Sequence, residues 1–185
     1  MRLFLAINLP DAVRRAAWDA TAPLRDAARG ARWVAAERLH LTLKFLGEQS
    51  EAQVAAVSAS LDEVAGRHRA FTVQLGGVGA FPNFRRPRVV WMGVTPDPRL
   101  ELLHHDVEVA CERLGFALDG RAFRPHLTLA RAREREDSDA MRGLARVGKG
   151  VVFASETRME SVDVMQSVLG AAARYERVHA ARLVA

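Results

Sequence analysis

Two copies of a histidine–threonine pair are the residues of this chain best suited to acid–base chemistry. His40-Leu41-Thr42-Leu43 recurs as His126-Leu127-Thr128-Leu129, 86 residues later, in a chain of 185 residues that holds six histidines. Both copies fall in segments predicted to be strands. Side chains two apart on a strand point to the same face. Each copy therefore presents an imidazole beside a hydroxyl, while its leucines point the other way into a core.

Two imidazoles and two hydroxyls around one phosphate are sufficient for its hydrolysis. A neutral histidine accepts a proton from the attacking water, and a protonated one gives a proton to the leaving oxygen. The threonine hydroxyls hydrogen-bond the non-bridging oxygens. A single His-x-Thr in a strand is usually a surface pair or a satisfied core group, and it is the duplication that favours a shared site. The residues alone do not say which histidine is the acid.

The remaining candidate groups give no comparable pattern. His68, His104, His105 and His179 have no partner motif, which favours helix-face or surface roles. No histidine or cysteine pair has the spacing of zinc ligands, so we expect no metal and no cofactor. The glycines at 76–79 lack the spacing of a phosphate-binding loop. The single cysteine, Cys111, has apolar neighbours at helical spacing, which predicts a buried and inert thiol.

Composition indicates an ordinary globular protein with a basic surface. The net charge is +5, and arginine supplies nearly all of the positive charge. This favours an anionic partner only weakly, because GC-rich codon usage also explains the arginine excess. The apolar start, Met1–Ile7, is too short for a signal peptide, and no stretch approaches the ~20 apolar residues of a membrane span. We expect a cytoplasmic protein without membrane contact, and no obligate protein partner is evident.

The strands and helices alternate without a linker. Strands are predicted at Arg2–Asn8, Leu39–Leu46, Phe71–Leu75, Arg88–Val94, Phe123–Arg131, Val151–Ala154, Ser161–Leu169 and Tyr175–Leu183. Helices are predicted from Asp11 with an interruption at Pro23, between Ser50 and Gly66, between Pro98 and Gly115, and shortly before Arg146. Loops are predicted at Gly76–Pro87 and, as a charged connection, at Arg133–Asp139.

Short turns between the C-terminal strands indicate antiparallel pairing rather than a parallel, doubly wound sheet. The expected fold class is α+β: two pseudo-symmetric lobes of antiparallel sheet covered by helices, with one His-x-Thr motif per lobe facing a central cleft. A single domain spans residues 1–185 in this interpretation.

At these residues the chain resembles the 2H phosphoesterases, and within them the bacterial RNA 2′,3′-cyclic phosphodiesterase family, also called 2′-5′ RNA ligases. Two His-x-Thr-x motifs define that superfamily. The resemblance covers nearly the whole chain, through Arg2–Ala6, Leu39–Gly47, Gly79–Pro82, Arg86–Trp91, Phe123–Arg131, Ser167 and Tyr175.

The resemblance implies hydrolysis of a 2′,3′-cyclic phosphate at an RNA end, or of a cyclic nucleotide, to a 2′-phosphate. It assigns His40 as the proton donor to the leaving 3′-oxygen and His126 as the base for water. Thr42 and Thr128 would bind the phosphate, and Arg131 occupies the place of a phosphate-contacting arginine. Simple alternation puts Arg131 on the face opposite His126, so this role requires the strand to end or bulge there.

The sequence leaves the roles of three further side chains undecided. Lys44 has the correct parity to join His40 and Thr42, and an exposed lysine beside the sheet is the equal alternative. Phe81 and Phe84 are candidates for stacking on a base, with loop packing at least as favoured.

Two alternative functions also stay open. A 2′-5′ ligase would use the same residues in the reverse reaction, and we favour hydrolysis because water is in vast excess. A non-catalytic RNA-binding module is less favoured, because binding gives no reason to duplicate His-x-Thr. Single-strand binding also relies on aromatic side chains, which are only 6% of the residues.

Overall fold

A computed structural model of the chain describes residues 1–132, 141–168 and 174–185. The strands are β1 (Arg2–Asn8), β2 (Arg32–Trp33), β3 (His40–Glu48), β4 (Phe71–Phe81), β5 (Val89–Val94), β6 (His126–Arg131), β7 (Ala154–Met159), β8 (Ser161–Val168) and β9 (Arg174–Arg182). The helices of the described residues are α1 (Asp11–Ala20), α2 (Ala22–Ala27), α3 (Glu51–Ala65), α4 (Pro98–Arg113) and α5 (Leu144–Lys149), with a 3₁₀ turn at Ala36–Arg38.

One antiparallel sheet of nine strands joins the two halves of the molecule. Its order is β7-β4-β5-β6-β3-β1-β8-β9, with β2 paired to β6. Along this order four strands lie on each side of the junction between β3 and β6, and β2 is the ninth. Strands β3 and β6 carry the two His-x-Thr motifs. The α+β class and the antiparallel pairing are confirmed.

Helices α3 and α4 pack on each other, α3 also contacts β8 and β9, and α4 contacts β3. Their apolar stripes supply the core, as the periodicity predicts: Val54, Val57, Leu61 and Val64 from α3, and Leu100, Leu103, Val107 and Cys111 from α4, are all buried. Burial raises the pKa of the Cys111 thiol to about 11, which agrees with an inert cysteine.

Local signals set the helix ends. Ser50 caps α3 by accepting a hydrogen bond from the Gln53 backbone N–H at 3.3 Å, and Asp97 caps α4 by accepting one from Arg99 N–H at 2.8 Å. Pro23 lies in the first turn of α2, so the predicted interruption separates two helices. Gly115 follows α4 with a φ of 90°, a conformation that favours glycine.

Two predictions of local structure are wrong. The loop predicted at Gly76–Pro87 begins only after Phe81, and residues 76–81 form the second half of β4. Gly77 accommodates a bulge there with a φ of 73°, and Gly79 packs under Trp91. A Cβ at Gly79 would lie 2.1 Å from the Trp91 ring, so this strand needs glycine there. The strand predicted at Val151–Ala154 begins only at Ala154. Two predicted features lie outside the described residues: the connection Arg133–Asp139, and Leu169 as the end of the strand that starts at Ser161.

Candidate active site

The two motifs meet at the centre of the sheet. Strands β3 and β6 register at one pair among the described residues, Leu41 with Leu127, and both leucines are fully buried. Because side chains alternate along a strand, the residues on either side of each leucine point to the opposite face. His40 with Thr42 and His126 with Thr128 therefore lie on one face of the junction, as the motif spacing predicts.

Each motif is followed by a bulge at the same relative position. In the pairing of β1 with β3, Ala6 faces Thr42 and Leu5 faces Lys44, so Leu43 is the extra residue. The pairing of β5 with β6 skips Leu129 in the same way. A bulge shifts the alternation by one residue, so side chains beyond it change face.

The bulge in β6 decides the placement of Arg131. Leu129 and Ala130 are both buried, and Arg131 returns to the face of His126. The bulge that a phosphate-binding role of Arg131 requires is therefore present. Arg131 lines both the cavity beside His40 and the cavity beside His126, and its charge adds to the lowering of the pKa of both rings that burial causes.

The bulge in β3 turns Lys44 away from His40 and Thr42 into a buried ion pair, although the lysine still borders the cavity beside His126. Lys44 is 3% exposed, and its Nζ donates to both carboxylate oxygens of Glu108, at 2.8 and 2.9 Å, and to the Ala117 carbonyl at 2.8 Å. Both predicted placements of Lys44, beside His40 or exposed beside the sheet, are wrong. Phe45 takes the cleft position instead and is 67% exposed.

Backbone carbonyls orient both imidazoles in the same way. His40 Nδ1 lies 2.7 Å from the Arg38 carbonyl oxygen, and His126 Nδ1 lies 2.6 Å from the Arg124 carbonyl oxygen. A carbonyl oxygen only accepts, so each Nδ1 must donate its proton. The Nε2 atom of each ring is then the one that accepts or donates a proton in the cleft.

Aromatic rings pack against both histidines. The His40 ring lies 5.0 Å from Phe4 and 5.4 Å from Tyr175 between centroids. The His126 ring lies 5.0 Å from Phe81, edge to face. Phe81 is therefore part of the wall around His126. Phe84 is partly buried and packs on the hydrophobic core.

Burial lowers the pKa of both catalytic candidates. The pKa of His40 falls from 6.5 to about 4, because the ring is desolvated and because the charges of Arg131 and Arg14 oppose protonation; the bond to the Arg38 carbonyl acts in the opposite direction. Burial also lowers the pKa of His126, with Arg131 and Arg124 adding to the effect. Both rings are therefore neutral near pH 7 in the free protein, and an anion bound between them would favour protonation.

Two cavities open on this face and together form the cleft. The first, which we call the His40 cavity, has a volume of about 540 Å³; the second, the His126 cavity, has a volume of about 730 Å³. Both are lined by Thr42, Phe45, Thr128 and Arg131. Each holds one motif histidine, so the shared residues form a floor between two imidazoles.

Sequence reasoning missed two side chains of the cleft, Phe45 and His104, and only Phe45 has a sequence signal. Phe45 corresponds to Arg131 when the motifs are superposed, so an equal bulge in both copies predicts its exposure. His104 stacks on Phe123 at 3.8 Å and lines the His126 cavity, although no motif marks it. His105, the next residue of α4, is exposed and lines neither part of the cleft.

Comparison with known proteins identifies the family. The profile of the 2′-5′ RNA ligase superfamily matches residues 10–170, which is most of the chain. The chain belongs to this superfamily.

Members of the superfamily with curated names are similar over most of their length. An Archaeoglobus fulgidus protein named RNA 2′,3′-cyclic phosphodiesterase is 38% identical over 135 residues, 73% of this chain and 74% of its own. An Escherichia coli protein of the same name is 41% identical over 133 residues, 70% of this chain and 71% of its own.

Solved structures of the superfamily share the fold. A Thermus thermophilus protein matches with a TM-score of 0.79 and 30% identity, covering 99% of this chain and 98% of its own. The crystal structure of E. coli LigT complexed with 3′-AMP matches with a TM-score of 0.72 and 30% identity, covering 98% and 97%. These likenesses confirm the predicted superfamily and fold.

Residues 1–132, 141–168 and 174–185 contain no group of three or more His, Cys, Asp or Glu side chains placed to hold a metal ion. Within the same residues no helix is long and apolar enough to cross a membrane.

Proposed function

We propose that this protein hydrolyses 2′,3′-cyclic phosphates at RNA ends to 2′-phosphates, using His40 and His126 as its acid and base and no metal. The observation that supports this most directly is the pair of identically oriented imidazoles on one face of the β3–β6 junction. The superfamily and the names of the curated relatives support the same reaction and substrate class.

In the reaction, water attacks the phosphorus while His126 Nε2 accepts its proton. The bond between phosphorus and the 3′-oxygen breaks, and His40 Nε2–H gives its proton to that oxygen, leaving the phosphate on the 2′-oxygen. The order of the two roles comes from the family resemblance. After turnover His126 is protonated and His40 neutral, so one proton must pass through solvent before the next cycle.

Charge on the phosphate is held by the residues of the cleft floor. The Thr42 and Thr128 hydroxyls donate to non-bridging oxygens, and the Arg131 guanidinium binds them with charge-assisted hydrogen bonds. The same phosphate supplies the negative charge that raises the depressed pKa of the histidine acting as acid. Binding the substrate therefore prepares the acid that the free protein lacks near pH 7.

In this arrangement Phe45 is the side chain that contacts the nucleobase of the substrate. It is the large apolar side chain exposed on the cleft floor, and it packs against Phe4 with ring centroids 6.1 Å apart. A flat aromatic ring fixed from behind and open to solvent suits stacking on a base of any identity.

Ligation through a 2′-5′ bond is a second candidate. The observation that favours it is the size of the His126 cavity, about 730 Å³, because the attack of water requires far less space. A 5′-hydroxyl placed where water attacks would be deprotonated by the same histidine. Water outnumbers RNA ends, so hydrolysis remains the main proposal.

Incubation with a nucleoside 2′,3′-cyclic phosphate in the presence of EDTA tests the proposal. We expect conversion to the nucleoside 2′-phosphate, identified by chromatography against the 2′- and 3′-isomers. A 3′-phosphate product would reverse the roles of the two histidines. No turnover of the mononucleotide or of an RNA with the same end would contradict the proposed function. Addition of an RNA with a 5′-hydroxyl reports ligation in the same assay.

A further inference from the structure

The His40 cavity holds more positive charge than one cyclic phosphate can neutralise. Arg2, Arg32 and Arg131 are among its lining residues, and none of the described residues that line it is a carboxylate. Arg2 lies opposite Glu48 in the pairing of β1 with β3. A nucleoside 2′,3′-cyclic phosphate has a single negative charge, and Arg131 accounts for its binding. This substrate brings no second negative charge for Arg32.

Arg32 is the most informative of these residues. It is the cross-strand partner of Arg131 in the pairing of β2 with β6, and both are exposed. Directly opposed residues of an antiparallel pair have Cβ atoms about 4.5–5.5 Å apart, and like charges at such positions are destabilising. In the part of the chain that the structure describes, no carboxylate forms an ion pair with Arg32.

The short strand β2 holds Arg32 in this place. Trp33 pairs with Ala130, and its indole N–H donates to the Ala28 carbonyl at 2.9 Å. Val34 N–H donates to the Leu129 carbonyl at 2.8 Å, at the residue that forms the bulge. The opposed arginines are therefore fixed by backbone bonds and cannot separate by a shift of the strand.

A neighbouring cavity, which we call the outer cavity, lacks this imbalance. It also borders His40 and has a volume of about 640 Å³. Its arginines are accompanied by carboxylates: the lining includes Arg14, Arg38, Arg158, Arg177 and Arg182 together with Asp11, Glu37, Glu160 and Asp163. The unbalanced charge thus lies on the Arg32 side of His40.

We propose that Arg32 binds the phosphodiester on the 5′ side of the terminal nucleotide, so that the enzyme selects RNA ends over mononucleotides. This rests on the proposed function above. An RNA end brings one more negative charge for each added nucleotide, and the second phosphate neutralises the opposed guanidiniums. The cost of placing Arg32 beside Arg131 is then offset only when an oligonucleotide occupies the cleft.

Three substrates with the same terminal nucleotide test the proposal: the mononucleotide 2′,3′-cyclic phosphate, a dinucleotide with the same end, and that dinucleotide with an uncharged methylphosphonate linkage. We expect wild-type kcat/KM to be on the order of tenfold higher for the charged dinucleotide than for the other two, as one charge-assisted contact allows. Arg32→Gln should remove this preference, because it should lower kcat/KM for the charged dinucleotide far more than for the mononucleotide or the methylphosphonate. It should also reduce the slope of log kcat/KM against log salt by about 0.7 for the charged dinucleotide.

Arg182→Gln is the matched control, because Arg182 is an exposed arginine of the outer cavity. It should keep the wild-type preference; loss of the preference here would place the RNA in the outer cavity and overturn the proposal. An equal loss on all three substrates in Arg32→Gln would assign Arg32 to the scissile phosphate and also overturn it. Absence of turnover in the wild type would instead contradict the proposed function itself.

Discussion

Replacing Lys44 tests whether this lysine acts through its buried ion pair or at the reacting phosphate. The Lys44 and Glu108 side chains are only 3% and 9% exposed, and they are joined at 2.8 Å. Lys44→Met leaves the Glu108 carboxylate buried without its counter-charge, and breaking a buried pair in this way costs about 3–5 kcal/mol. For a chain of this size the loss corresponds to a decrease in Tm of roughly 6–20 °C.

The same pair also fixes one wall of the cleft. Lys44 donates to the Ala117 carbonyl, and the Glu108 carboxylate accepts from the Asp119 backbone N–H at 2.9 Å. Asp119 lines the His126 cavity. We therefore expect Lys44→Met to raise KM while kcat changes little at a temperature where the variant is folded, since no atom of Lys44 touches the reacting groups.

Two further variants complete this test, which is read by urea denaturation and thermal melting. Lys149→Met is the matched control, because the chain's other lysine is exposed at the end of α5 and should alter stability by no more than about 0.5 kcal/mol. Lys44→Met combined with Glu108→Leu should be more stable than Lys44→Met alone, because no charge remains buried. Wild-type stability in Lys44→Met together with lost turnover would place the Lys44 ammonium at the reacting phosphate rather than in the ion pair with Glu108, and would refute the bulge in β3.

The other predictions concern the phosphate, the histidine charges and the metal. Thr42→Val and Thr128→Val each remove one hydroxyl and should lower kcat by roughly ten- to a thousand-fold, as loss of an oxyanion donor does; wild-type rates in both would make these threonines purely structural. The folded pKa of His40 is about 4 against 6.5 for a free histidine, so the unfolded chain binds the extra proton and stability should fall as pH decreases from about 6.5 to 4. This decline, at most about 1.4 kcal/mol per pH unit from one histidine, should weaken in His40→Ala measured by denaturation across that range, and equal slopes would contradict the depressed pKa. Turnover should survive EDTA, and a loss that one divalent ion restores would contradict the two-histidine mechanism.

Repetition and periodicity are what made most of the fold and the catalytic pair predictable. The duplicated motif placed His40 and His126 on one face because alternation holds between each histidine and its threonine. The apolar stripes of α3 and α4, with the cap at Ser50 and the start at Pro98, gave those helices their bounds to within a residue or two.

The wrong predictions concern residues near positions where the alternation of side chains along a strand is interrupted. No local residue pattern marks the bulges at Leu43 and Leu129. Strict alternation of side chains therefore placed Lys44 wrongly, and it put Arg131 in the site only on the condition that the strand ends or bulges. The glycines of β4 predict a loop by composition, and only the Trp91 ring across the strand pair explains Gly79. Arg32 lies in a strand of two residues, too short for any periodicity to indicate. Features that depend on contacts between strands distant in sequence are therefore the ones that required the structure.

The most direct measurement of the central claim is the rate of cyclic phosphate hydrolysis by His40→Ala, His126→Ala and the double variant, with His105→Ala as the control on the exposed face of α4. Each single variant should remain folded by circular dichroism and lose about 10²–10⁴ in rate, the usual contribution of a general acid or base. The double variant should lose much less than the product of the two losses, because both groups act in one proton transfer sequence. A folded His126→Ala that hydrolyses the cyclic phosphate at the wild-type rate would contradict the account.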